Sequence, residues 1–585
     1  MLALITFIPL VGAILTMLTR RDDRRGIEFI GAFASIITLA LSISLISGFR
    51  GDFSSMQFII RHDWIDGLGI EFHMGIDGIS LWMVLLTAFL TPICIFYSVG
   101  TVKNSPREFI AMLLALETSM IGVFVSLDMI LFFVFWEAIL IPMYFLIGIW
   151  GYDRKTYSAM KFLVYTMFGS ILMLVAILMI HKAGFSLGIR TFDLLQFPAI
   201  VQHAVTPRTA QILFWFFFLA FAIKIPIFPF HTWLPDAHTD APTAGSVILA
   251  GILLKMGAYG FLRLSLPIFP RESLDYALFI IVLGVVGIIY GAWVATMQPD
   301  MKRLVAYSSV SHLGLVVLGI FTFTPEGMTG GLLQMVNHGL STGALFLIVG
   351  MLYERAHTKL IEKYGGISRV MPYFSACFLL IMLSSIGLPG LNGFVGEILI
   401  LLGSAKSSHL VTFPGASYVL TVLAASGAIW SAVYMLWMFQ RVMQGPIRHE
   451  ENKHMEDISA REKWALIPII VLCILIGIFP KFFTKPMEAP IMQIIDKIHY
   501  EKPELNANSA LIKNPIAFNV QNGDSPRQQC LVNSYLSTPV LCGNKLLFIH
   551  RDSPRFSDYL IWNGNSKLND VEFSIILANA KKEPD

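Results

Sequence analysis

The chain has 585 residues, of which 55% are hydrophobic and 14% are charged, and its formal net charge is +3. Soluble domains carry about 25% charged residues, so this composition excludes an ordinary water-soluble protein. The basic residues lie in short loops and form no single basic face, which argues against nucleic-acid binding.

The apolar residues predict an all-α membrane protein with about 14 transmembrane helices. They form uninterrupted runs of roughly 18 residues or more, the length that crosses about 30 Å of hydrocarbon as a helix. The first run, Leu2 to Leu18, has no basic region before it and no small-residue cleavage site. We therefore interpret it as a retained helix and not as a signal peptide. The predicted spans start near residues 1, 27, 78, 109, 128, 161, 210, 243, 276, 304, 329, 371, 416 and 464.

The distribution of Lys and Arg predicts which side of the membrane each loop faces. The loops on one side hold most of them, including Arg20, Arg154 and Lys359. Because basic loops stay on the inner side, this bias places both termini outside. The outward loops before the tail hold Arg50, Arg61, Lys182, Arg190, Arg208, Arg263, Arg271 and Lys406.

Four ionisable residues fall near the middle of predicted spans, namely Glu137, Lys224, Lys255 and Glu397. A charge at the centre of a spanning helix costs roughly 2.5–3.5 kcal/mol on insertion scales, so these side chains should face the interior of the bundle. One interpretation is that Glu137 and Lys224 form a buried ion pair that only fixes helix packing. A proton relay of acids and bases accounts for all four residues, since the arrival of one proton changes the affinity of the next site.

Two histidines add groups that titrate near neutral pH. His312 lies in "YSSVSHLGLVV" and His338 in "QMVNHGLSTGAL", within the tenth and eleventh predicted spans. Each is equally compatible with a hydrogen-bonded packing role. Haem ligation is a third interpretation, but the sequence offers no paired histidine helices that face each other at matched depths.

Two predicted spans are interrupted by proline and glycine. The seventh reads "KIPIFP" from Lys224, and the twelfth reads "GLPGLNG" from Gly387. These residues release backbone groups, which are tolerated at membrane depth only where protein or water satisfies them. Such breaks mark ion sites in transporters, although packing kinks without transport are the alternative interpretation.

The positions of the breaks predict the domain organisation. They lie five spans apart, so they fall in helices of opposite direction, as two inverted five-helix repeats would place them. These repeats, about residues 109–265 and 276–441, belong to a predicted transmembrane domain of residues 1–485. Residues 486–585 form a polar, outward-facing tail of unknown role, in which Cys530 and Cys542 either form a disulfide or remain thiols.

The sequence "KIPIFPFHTWLPDAHTDAPTAGSVILAGILLKMGAYGFLR", residues 224–263, resembles the signature of a known family. The family is that of the antiporter-like membrane subunits of respiratory NADH:quinone oxidoreductase (complex I), of the subunit M or chain 4 type. "FFVFWEAILIPMYFLIGIWG", "MKRLVAYSSVSHLG" and "GLPGLNGFVGE" support the resemblance, which covers roughly residues 1–485. The tail departs from the family pattern.

This resemblance implies a role for each midplane charge. Glu137 and Lys224 resemble a coupling pair, and Lys255 resembles the central relay residue. Glu397 resembles the carboxylate that releases protons on the outward side. Quinone reduction elsewhere in the complex would separate Glu137 from Lys224 electrostatically and drive the proton onward.

The resemblance also implies a role for the two histidines, the place of the cofactors, the partners and the location of the chain. His312 and His338 match positions on a polar axis between the lysines and Glu397. This chain would bind no cofactor itself, because NADH, FMN, iron–sulfur clusters and quinone belong to other subunits. Its partners would be the other membrane subunits, above all two sister antiporter-like subunits, and membrane lipid, with no nucleic acid. The expected location is the bacterial inner membrane, with the mitochondrial inner membrane as the alternative.

Three other functions fit parts of the same pattern. A multisubunit sodium/proton antiporter subunit shares the fold and the Glu and Lys positions, and a membrane-bound hydrogenase subunit is a variant of the same module. A passive scaffold for a redox complex is the third, and the midplane charges argue against it.

Overall fold

A computed structural model describes residues 1–407 and 415–500, together with five short strands farther along the chain. The chain divides into two units, Met1–Lys502 and Pro503–Asp585. In the second unit, an antiparallel pair and an antiparallel three-stranded sheet are described. Their strands are Ile516–Val520, Gln528–Val532, Val540–Cys542, Lys545–Phe548 and Leu560–Trp562. Whether Cys530 and Cys542 form a disulfide or remain thiols lies outside the described residues, which do not include these side chains.

The first unit is almost entirely helical, as the apolar runs predict. Its first half contains α1 (Leu2–Leu18), α2 (Arg24–Gly48), α3 (Gly78–Ser98), α4 (Pro106–Val125), α5 (Met129–Ala138), α6 (Leu140–Trp150), α7 (Lys155–Gly184), α8 (Phe197–Ala204), α9 (Pro207–Lys224), α10 (Trp233–Asp240), α11 (Thr243–Ile248), α12 (Leu254–Gly260), α13 (Leu266–Ile268) and α14 (Pro270–Asp275). The second half contains α15 (Ala277–Thr296), α16 (Met301–Phe321), α17 (Pro325–Ala356), α18 (Pro372–Ile386), α19 (Asn392–Lys406), α20 (Ala416–Met443), α21 (Ala460–Ile478) and α22 (Pro480–Tyr500).

The helices begin where the apolar runs predict them. Each predicted span start lies within a few residues of a helix start, and the largest difference is at the sixth span, predicted near 161 and beginning at Lys155. Among the described residues, ten helical stretches are long and apolar enough to cross a membrane. Leu2–Leu18 and Pro372–Ile386 are shorter apolar helices. The fold class is confirmed, whereas the count of 14 spans stays a prediction.

The core of the bundle lies around two enclosed spans. Thr243–Ile268, which runs through α11, α12 and α13, has every residue of its apolar window buried, and so does α17. In α20 only 28% of the equivalent window is buried, so most of that helix lies on the surface of the bundle. Ionisable side chains on the two enclosed spans are therefore held away from lipid.

Both predicted helix breaks are present. After α9 ends at Lys224, the chain is not helical until α10, and the Trp233 indole N–H donates to the Ile223 carbonyl at 2.9 Å. This bond satisfies one backbone group that the break releases. The second break lies between α18 and α19, where Asn337 of α17 donates to the Asn392 carbonyl at 2.8 Å. Each break is thus stabilised by a side chain of the bundle.

Two features were not predicted from the sequence. Gln57–Ile65 (β1) and Ile70–Ile76 (β2) form an antiparallel hairpin in what we treated as an outward loop. The chain also stays with the bundle beyond α21, because α22 starts at Pro480 and runs at an angle of 72° to α21. Met487, Ile491 and Ile498 of α22 are fully buried. The predicted division at residue 486 falls inside this helix, and the inverted repeats stay predictions.

Candidate functional site

The best-connected part of the site begins at Lys255, which is fully buried on the enclosed span Thr243–Ile268. Leu249–Leu253, just before α12, is a π-helical turn, a feature that is frequent at functional sites. The Lys255 ammonium donates to the Ala250 carbonyl within this turn. It also lies 2.6 Å from Nδ1 of His338 on α17. The π turn thus leaves a carbonyl available to the lysine, and the lysine reaches the next helix.

Two histidines and a carboxylate extend this contact across the bundle. The rings of His338 and His312 lie 5.8 Å apart, centroid to centroid, at an angle of 60°. Nδ1 of His312, on α16, lies 3.6 Å from Oε1 of Glu397 on α19. Both imidazoles and the Glu397 carboxylate are buried. Four of the six predicted site residues therefore form one line, which we call the relay: Lys255, His338, His312 and Glu397.

The Nε2 atoms of the two relay histidines can each form a further hydrogen bond. Nε2 of His312 and Nε2 of His338 have no hydrogen-bond partner among the described residues. Buried polar atoms of this kind are usually satisfied by ordered water. The step between the two rings is longer than a hydrogen bond, so a water molecule bonded to both imidazoles is the simplest way to close it.

The second helix break holds Glu397 in place. Gly387, which follows α18, has φ +84°, a conformation that favours glycine. A Cβ atom at this position would lie 2.6 Å from Oε2 of Glu397, so the carboxylate packs directly against the turn. The break therefore gives the carboxylate room that a continuous helix with side chains would fill.

Lys224 lies at the other break and has a different environment. It is the last residue of α9 and is only 1% exposed. Its ammonium lies over the rings of Trp136 and Phe162, at 5.1 Å and 5.8 Å from their centroids. It has no hydrogen-bond partner among the residues that the structure describes. Cation–π contacts of this kind stabilise a desolvated ammonium without fixing its proton to one acceptor.

Glu137 lies beside this lysine without forming an ion pair with it. Among the described side chains, no nitrogen–oxygen contact within 4.0 Å joins Glu137 to Lys224. Glu137 is partly exposed and lines an open, apolar groove of about 420 Å³ with Val134, Leu163 and Met167. The two groups remain electrostatic neighbours, since Glu137 acts on Lys224 over this longer distance. The predicted coupling pair stays a prediction.

A second set of polar residues lies at the inner end of the first half. Lys161 on α7 forms an ion pair with Asp236 on α10 at 2.7 Å, and Arg154 pairs with the same carboxylate at 3.3 Å. His238 is buried and stacks on Phe346 with its ring centroid 4.6 Å away. Neither ring nitrogen of His238 has a hydrogen-bond partner among the described residues. Asp236 and His238 both belong to α10, the helix that follows the first break.

One residue was wrongly placed by the sequence analysis. Arg263, assigned to an outward loop, is only 6% exposed and lies inside the span Thr243–Ile268. Its guanidinium forms an ion pair with Asp77, which is also buried and caps the N-terminus of α3. A buried cation is tolerated when it has such a partner, which an apolar run length does not reveal. The available signal was the position of Arg263, eight residues after Lys255 in the same run.

Within the described residues, no cluster of three or more His, Cys, Asp or Glu side chains could hold a metal ion. Of the cysteines with placed side chains, Cys94 and Cys473 are buried and Cys377 is partly exposed, and all three are free thiols.

The chain is similar in sequence to known proteins of one family. The family described as NADH:quinone oxidoreductase/Mrp antiporter, transmembrane, matches residues 126–424. This range contains all six candidate residues. The chain is 44% identical over 496 residues to NADH-quinone oxidoreductase subunit M of Rickettsia felis, a match that covers 84% of this chain and 98% of the relative.

Solved structures extend the likeness to the fold. The respiratory complex I from Thermus thermophilus contains a chain that is 31% identical, with a TM-score of 0.74, and the match covers 85% of this chain and 100% of that one. A chain of the Mrp complex from Dietzia sp. DQ12-45-1b has a TM-score of 0.72 at 19% identity, covering 86% of this chain and 99% of that one. At this identity, the second match shows the shared fold alone.

Proposed function

The chain belongs to the NADH:quinone oxidoreductase/Mrp antiporter transmembrane family, and from that premise we propose its function. It is a proton-translocating membrane subunit, of the subunit M type, in a respiratory NADH:quinone oxidoreductase. The match covers 98% of the subunit M relative, which supports proposing the same type of subunit for this chain. It is a multi-pass protein of the bacterial inner membrane.

The observation that carries the proposed mechanism is the line of contacts from Lys255 to Glu397. A protonated Lys255 donates toward Nδ1 of His338, which is an acceptor only when that nitrogen is unprotonated. From His338 the proton passes through bridging water to His312, and from there to the Glu397 carboxylate. Because every group in this line alternates between donor and acceptor states, a proton can move along it without any side chain crossing the bundle.

The driving step is proposed at the first break. Among the described residues, Lys224 has aromatic neighbours, one nearby carboxylate in Glu137, and no hydrogen-bond acceptor. A change in charge near Glu137 therefore alters the main electrostatic stabilisation of the Lys224 ammonium. When that stabilisation weakens, the lysine gives up its proton toward Lys255. When it returns, Lys224 takes a new proton from the inner side.

Electron transfer takes place outside this chain. We assign NADH, FMN, the iron–sulfur clusters and quinone to other subunits of the complex, so that this chain contributes to the enzyme as a translocase without a redox centre. The partners are the other membrane subunits, including the two sister antiporter-like subunits, and membrane lipid. The open side of the Glu137 groove is one place from which a neighbouring charge can act on Glu137.

The test is the ratio of protons pumped to electrons transferred in the complete complex, reconstituted in liposomes and supplied with NADH and quinone. Glu397→Gln removes the last acceptor of the relay while keeping the shape of the side chain. We expect NADH oxidation to continue under uncoupled conditions and the ratio to fall. Lys406→Gln is the matched control, because this lysine lies on the same helix, is exposed and pairs only with Glu326 in the described structure.

An unchanged ratio in the Glu397→Gln complex would contradict the proposed path. The sodium/proton antiporter alternative makes a separate prediction, which is that the chain co-purifies in mild detergent with no flavin and no iron–sulfur protein. Recovery of those redox subunits with the chain would decide for the respiratory complex.

A further inference from the structure

The enclosed span that carries Lys255 carries a second buried cation, Arg263. At about 1.5 Å per residue, eight residues place Arg263 about 12 Å farther along the helix. It lies toward the end that the loop charges assign to the outward side. A second π-helical turn, Phe261–Ser265, surrounds it. Nothing in the proposed proton path uses this residue, and burying it requires a reason.

Arg263 is held by partners on neighbouring helices. Its guanidinium contacts the Asp77 carboxylate and lies 3.3 Å from the Ser80 hydroxyl on α3. Its Nε donates to the Tyr259 hydroxyl at 3.4 Å. Tyr259 in turn donates to the Phe124 carbonyl of α4 at 3.0 Å. This network joins the enclosed span to α3 and α4 at one level of the bundle.

The chemistry of this network differs from that of the relay. A guanidinium has donors and no acceptor, and it does not lose its proton in proteins. The Asp77 oxygen that contacts it also accepts the backbone N–H groups of Ile79 and Ser80, both at 3.0 Å. Three donors thus already occupy this one carboxylate oxygen. Neither partner is therefore suited to pass a proton on.

We propose that the ion pair of Arg263 and Asp77, here called the outward pair, closes the outward end of the first half of the bundle to protons. The inference rests on the proposed function and adds a direction to it. In the outward direction along its own span, a proton on Lys255 meets the fixed positive charge of Arg263. Toward α17 it meets the His338 imidazole, which accepts a proton. Arginines that bar protons and cations in other pores act by the same electrostatic means. Arg263 is thus a positioning residue, because its charge leaves the relay as the single pathway for the proton.

The experiment measures the passive decay of an imposed pH gradient across liposomes that contain the complete complex, without NADH. Removing only one partner would leave an unpaired buried charge, so the main variant is the double substitution Asp77→Asn with Arg263→Gln. We expect the gradient to decay about tenfold faster, which corresponds to a barrier lowered by about 1.4 kcal/mol. Arg263→Lys keeps a cation opposite Asp77 and should remain near the wild-type rate.

Two comparisons make the result decisive. Arg271→Gln removes an exposed outward arginine near the same end of the bundle and should leave the decay rate unchanged. A wild-type decay rate in the double variant would overturn the proposal, and so would a leak of equal size in Arg263→Lys. Should the double variant fail to assemble, Asp77→Asn with Arg263→Met, which also removes both charges, is measured against the same thresholds. Failure of the relay itself is recognised separately, as a normal pumping ratio in Glu397→Gln.

Discussion

The relay and the outward pair place two buried cations on one helix and surround them with opposite chemistry. Lys255 contacts a backbone carbonyl and an imidazole nitrogen, both of which are uncharged acceptors. Arg263 contacts a carboxylate and two hydroxyl groups. A lysine with neutral partners can exist with or without its proton, whereas an arginine paired with a carboxylate keeps it. Both cations are buried, so their partners and side-chain chemistry, more than burial, decide whether the residue can release a proton or only carries a fixed charge.

The largest effect is expected when Lys255 is replaced by arginine, the residue type found at position 263. Lys255→Arg keeps a positive charge at the centre of the relay but removes the ability to release a proton. We expect proton pumping by this subunit to be lost, as completely as in Lys255→Met. The measurement is the ratio of protons to electrons in the reconstituted complex. Lys359→Arg, at the inner end of the bundle, is the control and should pump normally.

If Lys255→Arg pumped as well as the wild type, the charge of residue 255 and not its titration would matter, and the contrast with Arg263 would disappear.

The coupling of Glu137 to Lys224 is expected to have the next largest effect. Lys224→Ala removes the cation between Trp136 and Phe162, and Glu137→Gln removes the carboxylate that acts on it. Both variants should assemble and oxidise NADH, and both should lose or sharply reduce pumping. Glu326→Gln, which breaks an ion pair with Lys406 on the outward side, provides a control that leaves the midplane unchanged.

Normal pumping ratios in both of these variants would remove the driving step from the mechanism while leaving the relay contacts unexplained.

Thermal stability should distinguish the outward pair from an ordinary surface ion pair. Asp77→Asn leaves the Arg263 guanidinium buried without its charge partner, which is expected to destabilise the subunit by about 3–5 kcal/mol. Glu71→Gln breaks the pair with Arg61 on the hairpin, where the arginine is about half exposed. Such pairs contribute roughly 0–1 kcal/mol. Thermal unfolding of the detergent-solubilised complex should therefore shift far more for Asp77→Asn, and equal shifts would contradict a buried, fixed pair.

The positions of the helices could be predicted because span length and hydropathy are local properties of the chain. The two helix breaks followed from Pro226, Pro229 and the Gly387 region, for the same reason. The relay contacts could not be predicted, since Lys255 and His338 are 83 residues apart and meet only when the rotation of each helix is known. The residue patterns identified the four relay residues, and the family resemblance implied that the two histidines lie between the lysines and Glu397, but neither predicted the individual contacts.

The misplacement of Arg263 has a related physical origin. An arginine near the end of an apolar run is normally outside the hydrocarbon, and only its partner 186 residues earlier explains its burial. The hairpin of β1 and β2 was missed because its strands are far shorter than the runs used to find spans. A Gly-containing turn between β-branched and aromatic residues was the local signal available.

The smallest effect is expected at the turn before Glu397, where two glycines differ in whether an added methyl group would meet the carboxylate. Gly387 and Gly390 both have positive φ angles, +84° and +91°, so alanine at either position costs roughly 1–2 kcal/mol in backbone strain. Only at Gly387 would the new methyl group meet Glu397, since nothing lies within 4 Å of a Cβ atom at Gly390. Gly387→Ala should therefore lower the proton-to-electron ratio, whereas Gly390→Ala should lower stability by a similar amount and pump normally. If the two variants pumped alike, the position of the carboxylate would not limit proton release, and the relay would tolerate a displaced last acceptor.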